Sequence, residues 1–190
     1  MVDPKNITNY EASDYELQEV MLFWICAAGK NGTTAARCLD NLLNEINPQR
    51  ELPFRVLRRL TIETISFLLK KHGIGCYNQK ARTIFDLVQR DPNLRSCDPS
   101  LLETIWGIGL KTSRCFILHS RPGAKIAGLD THVLKFLGTK GFDVPKSTPT
   151  NKKKYMELEQ AFIEIAEKEG KTPADLDLEV WNAYSSKSNT

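Results

Sequence analysis

The sequence has no stretch in which apolar and polar residues alternate over strand length, so nothing in it argues for a sheet. It has no long hydrophobic run either. The longest, Val20 to Ala28, is too short to cross a bilayer. Cysteine is sparse: Cys26, Cys38, Cys76, Cys97 and Cys115 are odd in number and widely spaced, no two have metal-ligand spacing, and no secretory segment precedes them. A disulfide framework is therefore excluded, and the thiols read as reduced and mostly buried in an intracellular protein. Charge of one sign is also missing. Lys and Arg number 26 against 23 Asp and Glu, and the net charge of +3 fits nucleic-acid binding without arguing for it. Internal repeats are absent, apart from the two Gly-Ile-Gly turns at Gly73 and Gly107.

What is present is helical periodicity. With 190 residues the chain can bury a core as one domain or two small lobes. Ser13 and Glu16 form a capping box ahead of Leu17, Val20, Met21, Trp24 and Ala28, and Gly29 ends that helix. A second helix is expected from Thr33 or Thr34 to Ile46, with Lys30 and Asn31 in the turn between the two. Further helices are expected from Thr61 to Gly73, through Ala81, Ile84 and Val88 to Asp91-Pro92, over Lys152 to Glu169, and from Thr172-Pro173. The fold class is all-α.

Chemistry concentrates between Ser100 and Leu137. A helix with Leu101, Leu102 and Ile105 on one face runs into the turn Gly107-Ile108-Gly109. A second helix follows, its apolar stripe formed by Ile108, Thr112, Cys115, Phe116 and His119, with Lys111 off that stripe. Two glycines in three residues turn the chain sharply and leave amides uncovered at a helix start, where phosphate binds. Asp130, ahead of Thr131-His132-Val133, is placed to cap the next helix. Taken alone, each feature has a plainer reading: a solvated lysine, turn glycines, a simple N-cap and an idle surface histidine.

Together, Gly107, Ile108, Gly109, Lys111, Thr112 and Asp130 resemble the signature of the helix-hairpin-helix base-excision DNA glycosylases: Gly-hydrophobic-Gly, a Lys-Thr pair, then an Asp opening a helix. Gly75-Cys76-Tyr77-Asn78-Gln79-Lys80-Ala81 is similar to a second family segment, and Ala27-Ala28-Gly29-Lys30-Asn31 lies where the family begins to line its base pocket. Trp106 departs from the pattern, standing where proline usually precedes the first hairpin glycine. The chain looks most like the short archaeal-type 8-oxoguanine DNA glycosylase/AP lyases.

The resemblance implies a two-lobed helical fold with the active-site cleft between lobes. Residues 1–52 and 136–190 would form one lobe and 53–135 the other, with the hairpin at about 98–119. It implies excision of an oxidised base, foremost 8-oxoguanine, from double-stranded DNA by a monomeric intracellular enzyme. Lys111 would attack the anomeric carbon, form a Schiff base and permit β-elimination, and Asp130 would stabilise the sugar's developing charge. Gly107, Gly109, Thr112 and His132 would hold DNA phosphates. Lys30, Asn31, Trp106 and Trp181 are candidates for the base pocket, whereas Trp24 is assigned to core packing. No cofactor is implied beyond a monovalent cation on the hairpin backbone. With no cysteine after Cys115, the iron–sulfur loop of endonuclease III has no counterpart, so no cluster is expected. Two alternatives remain open here: an endonuclease III-like enzyme for oxidised pyrimidines, and a non-catalytic helix-hairpin-helix DNA-binding module.

Overall fold

Helices begin where a side-chain oxygen can take the first free amides. Ser13 accepts from the Glu16 amide while Glu16 reaches back to Ser13, closing the capping box of α1, Asp14–Ala27. Asn31, not Thr33 or Thr34, caps α2, Gly32–Ile46, its Oδ1 accepting the Thr34 amide at 3.1 Å. After the one-turn-and-a-half α3, Pro53–Arg58, Thr61 caps α4, Ile62–Lys71. Then come α5, Tyr77–Arg90; the single turn α6, Pro99–Leu102; and α7, Leu110–Ser120. Asp130 caps α8, Thr131–Thr139, and Asn151 caps α9, Lys152–Lys168; α10 is Pro173–Ser185. The computed structural model describes residues 1–185, and these are helix and connections, with a 3-10 turn at Pro4–Asn6 and no strand among them. No helix of the described residues is long and apolar enough to cross a membrane.

The buried apolar side chains gather into two cores. The larger runs from Val2 to Ile117 and is built by α1 to α7; the smaller, from Ala127 to Val180, is built by α8, α9 and α10 with the loop before α8. Leu178 of α10 also packs against the larger core. Leu17, Met21, Leu22 and Ile25 of α1 pack into the hairpin core, because an apolar face this wide is buried only by neighbours on several sides: α2, α5 and α7. The N-terminal segment meets the C-terminal helices at the 3-10 turn against α10 and where Gly32 approaches Trp181.

Candidate active site

A cavity of about 530 Å³ opens at the junction of the two cores. Its wall includes the α1–α2 turn from Ala27 to Gly32, Lys111, Cys115 and His119 of α7, Gly128 to His132, and Asp177, Leu178 and Trp181 of α10. The four-residue spacing of Lys111, Cys115 and His119 places them on one face of α7. The nucleophile candidate therefore lies on the cavity stripe of its helix, and Cys115 and His119, assigned from sequence to an apolar core face, line the same cavity.

Lys111 makes no hydrogen bond or ion pair among the described residues, and its ammonium is uncommitted. Asp130 is pinned. Its Oδ1 accepts the His132 and Val133 amides, each at 2.8 Å, while Oδ2 accepts from no group among the described residues. Burial raises the Asp130 pKa and the nearby Asp177 raises it further, against the lowering pull of the Val133 amide, Lys111 and His132.

The segment presenting Asp130 is fixed from behind. Tyr155 of α9 donates to the Ala127 carbonyl at 2.9 Å and accepts the Leu129 amide at 3.0 Å, and Glu159 accepts the Ala127 amide at 2.9 Å. Arg114 of α7, 7% exposed, joins this group: its guanidinium pairs with Glu103 and sits 3.0 Å from Glu159 Oε1. At Gly128 a Cβ would stand 2.1 Å from Cys115 Sγ, so the loop lies against α7 as closely as backbone permits. Arg114, Tyr155 and Glu159 thus set the position of Asp130 relative to α7, and of the three only Tyr155 was marked in the sequence, by the apolar spacing of α9.

The hairpin glycines are unequal. Gly107 has φ +82, and a Cβ there would meet Thr83 Oγ1 at 2.1 Å. Gly109 has φ −100, which any residue adopts, and open space where a Cβ would be; it begins α7 with no side-chain cap, so the first amides remain uncovered. Thr112 lies in the same first turn, half-buried and outside the cavity. His132 lines the cavity, tilted against Tyr184 at 6.3 Å, and its buried Nδ1 has no partner among the described residues.

Of the base-pocket candidates, Lys30, Asn31 and Trp181 line the cavity. Lys30 donates to the Gly73 carbonyl, tying the cavity lip to the first Gly-Ile-Gly turn. Trp106 does not belong to the cavity. Its amide donates to Asp86 at 2.9 Å, and its ring, 39% exposed, packs 4.4 Å from the Arg82 guanidinium on the hairpin surface. Trp24, assigned to the core, is a wall residue as well: it packs edge-on against Phe23 and stacks on His119 with centroids 5.8 Å apart. Lys80 is buried and donates to the Cys26 and Ala28 carbonyls at 2.8 and 2.9 Å, holding the end of α1 where the wall begins. Asp177, on a helix read only for its apolar positions, is the residue that sequence missed; its four-residue spacing from Trp181 was the available signal.

Among the described residues no cluster of three or more His, Cys, Asp or Glu could hold a metal ion, and the five cysteines are free.

Comparisons with known proteins bear on the family and the fold. A curated 8-oxoguanine DNA glycosylase/AP lyase of Thermoplasma volcanium is 27% identical over 186 residues, which span 93% of this chain and 86% of the relative. The crystal structure of the 8-oxoguanine DNA glycosylase of Thermotoga maritima superposes with a TM-score of 0.70 at 23% identity, over 92% of this chain and 82% of that one. The Methanocaldococcus jannaschii 8-oxoguanine glycosylase/lyase, solved with a 15mer DNA containing 8-oxoguanine, also gives 0.70, at 21% identity over 93% and 84% of the two chains. The family model described as 8-oxoguanine DNA glycosylase, of helix-hairpin-helix type, matches residues 9–171, and the chain therefore belongs to that family.

Proposed function

We propose that the chain is a bifunctional glycosylase and lyase that removes 8-oxoguanine from duplex DNA, acting as a monomer inside the cell. The observation that carries the reading is that Lys111, without a partner among the described residues, and Asp130, with one carboxylate oxygen uncommitted among them, share the wall of one cavity beside the uncovered amides of α7. The hairpin amides take a phosphate flanking the lesion and fix the strand's register without reading its sequence. The damaged nucleotide swings out of the stack into the cavity. Lys111 gives up an ammonium proton and its amine attacks C1′ as the N-glycosidic bond breaks, and the bonding pair leaves with the base, which takes up a proton. Asp130 faces the oxocarbenium-like sugar and stabilises its charge. The amine then loses a proton as the sugar ring opens to a Schiff base. Loss of a C2′ proton expels the 3′ phosphate, and water releases Lys111. His132 serves a phosphate of the same strand.

Borohydride trapping tests this on three duplexes carrying 8-oxoguanine opposite cytosine, thymine glycol, or an abasic site. A covalent adduct on the 8-oxoguanine duplex that disappears in Lys111→Gln is the expected result. Trapping confined to thymine glycol would reject the lesion, and strand cleavage surviving in Lys111→Gln would reject the nucleophile.

A further inference from the structure

Trp106 is exposed, stands outside the cavity and takes no part in the steps above, although it directly precedes the first hairpin glycine. Its surroundings come from α5, which runs beside the hairpin in the opposite direction. Arg90 reaches Thr104 at 3.3 Å, Asp86 takes the Trp106 amide at 2.9 Å, and Thr83 fills the space over Gly107. Residues three or four apart on α5 thus meet positions 104, 106 and 107 in turn. Arg82, on the exposed edge of this row, holds its guanidinium 4.4 Å from the centre of the Trp106 ring. Among the described residues it makes no ion pair or hydrogen bond. The carboxylate beside it is already taken, Asp86 Oδ1 by Arg90 Nε at 2.9 Å and Oδ2 by the Trp106 amide.

An exposed arginine ordinarily spreads over many rotamers, and fixing it on a ligand costs entropy. This one is held over an indole whose own backbone is tied down by Asp86, so much of that ordering is done before anything binds. Its N–H donors remain uncommitted, and a planar guanidinium matches the paired oxygens of a phosphate. The residue carrying the ring is bonded to Gly107, and the uncovered amides of α7 open just past Gly109. We propose that Arg82 and Trp106 form a second phosphate seat beside the hairpin. The guanidinium pairs with a phosphodiester of duplex DNA adjoining the one taken by the α7 amides, and Trp106 is the platform that holds it there. Such a seat reads charge and position, not sequence. It rests on duplex DNA being the ligand, as proposed above, and not on which base is excised.

The experiment is a salt titration of affinity for an undamaged duplex, with wild-type protein, Arg82→Gln, Arg82→Lys and Trp106→Leu. Arg82→Gln is expected to weaken binding roughly 2- to 5-fold, the span of an exposed ion pair. Its slope of log affinity against log salt should be shallower by about 0.9, the share of one phosphate. Arg82→Lys keeps the charge and should restore the slope. Trp106→Leu keeps the amide that Asp86 accepts but removes the ring, so it should weaken binding less than Arg82→Gln and leave the slope near wild type. An unchanged slope in Arg82→Gln would overturn the proposal. So would a lost slope that Arg82→Lys fails to restore, since the charge would then not be the cause, and wild-type affinity in Trp106→Leu would overturn the platform. Gly109→Ala, titrated alongside, separates this seat from the hairpin reading. Affinity that falls in Gly109→Ala but not in Arg82→Gln overturns the seat alone, and affinity that falls in neither overturns both.

Discussion

Asp130 is held by two amides and yet resists being charged, because burial and Asp177 outweigh the groups that favour the anion. Its folded pKa lies above the ordinary 3.8. Between those two values the folded protein binds more protons than the unfolded chain, so this residue's contribution to stability falls as pH rises through the window and stays low at neutral pH. Asp130→Asn keeps an oxygen for the α8 amides and removes the buried charge. The variant is expected to lose excision and lyase activity while melting at a higher temperature than wild type at pH 7, with the gap shrinking as pH is lowered toward 4. Thermal unfolding by circular dichroism at both pH values checks this, and a lower melting point for the variant at pH 7 would show that capping by the anion outweighs its burial.

The hairpin glycines make a matched pair of tests for one element. Gly107→Ala meets both a positive φ and Thr83, and we expect a loss on the order of 1–3 kcal/mol together with weakened DNA binding. Adding Thr83→Ala removes the nearest atom and should restore part of the stability but not all, since the φ strain remains. Gly109→Ala has neither problem; its stability should stay near wild type while duplex affinity drops, because the new methyl group stands before the open amides of α7. Melting curves and binding isotherms on the same three variants separate the two roles. The hairpin, the Asp130 cap and the order of helices were legible in the sequence because each rests on local signals: turn glycines, cap residues and the 3.6-residue period. What the sequence hid is set by long-range packing. Trp24, Cys115 and His119 sit on stripes that read as core, and whether such a stripe faces core or cavity depends on which helix stops short of it. Trp106 is pulled out of the pocket by partners 20 and 24 positions earlier in the chain, Asp86 and Arg82, which no local pattern connects to it.

Among the described residues part of the positive charge is already paired within the molecule. Arg58 pairs with Asp91, Arg59 with Glu51, Arg95 with Asp14, Lys125 with Glu167 and Lys140 with Glu169. The basic stretch at Arg55, Arg58 and Arg59 is in this way mostly neutralised by its own surroundings. With a net charge of +3 and a hairpin proposed to take phosphate through amides, binding should release few counterions. The slope of log affinity against log salt for duplex DNA is expected between about −2 and −4, given roughly 0.9 per phosphate neutralised. A slope steeper than about −6 in a salt titration would mean that the paired side chains re-form their contacts on the DNA.

The two sides of the cavity are also built differently. Lys111 and Asp130 are locked to one another's surroundings by Arg114, Glu159 and Tyr155, whereas Asp177 and Trp181 arrive together on α10, which meets the rest through α8, α9, part of α7 and the 3-10 turn. In the reading proposed above, the pair that breaks bonds and the aromatic wall that meets the base are therefore inherited on separate pieces of chain. A lineage could exchange the contents of this one helix and change its diet of lesions while its reaction stayed the same, and relatives sharing a lysine and an aspartate need not share a substrate.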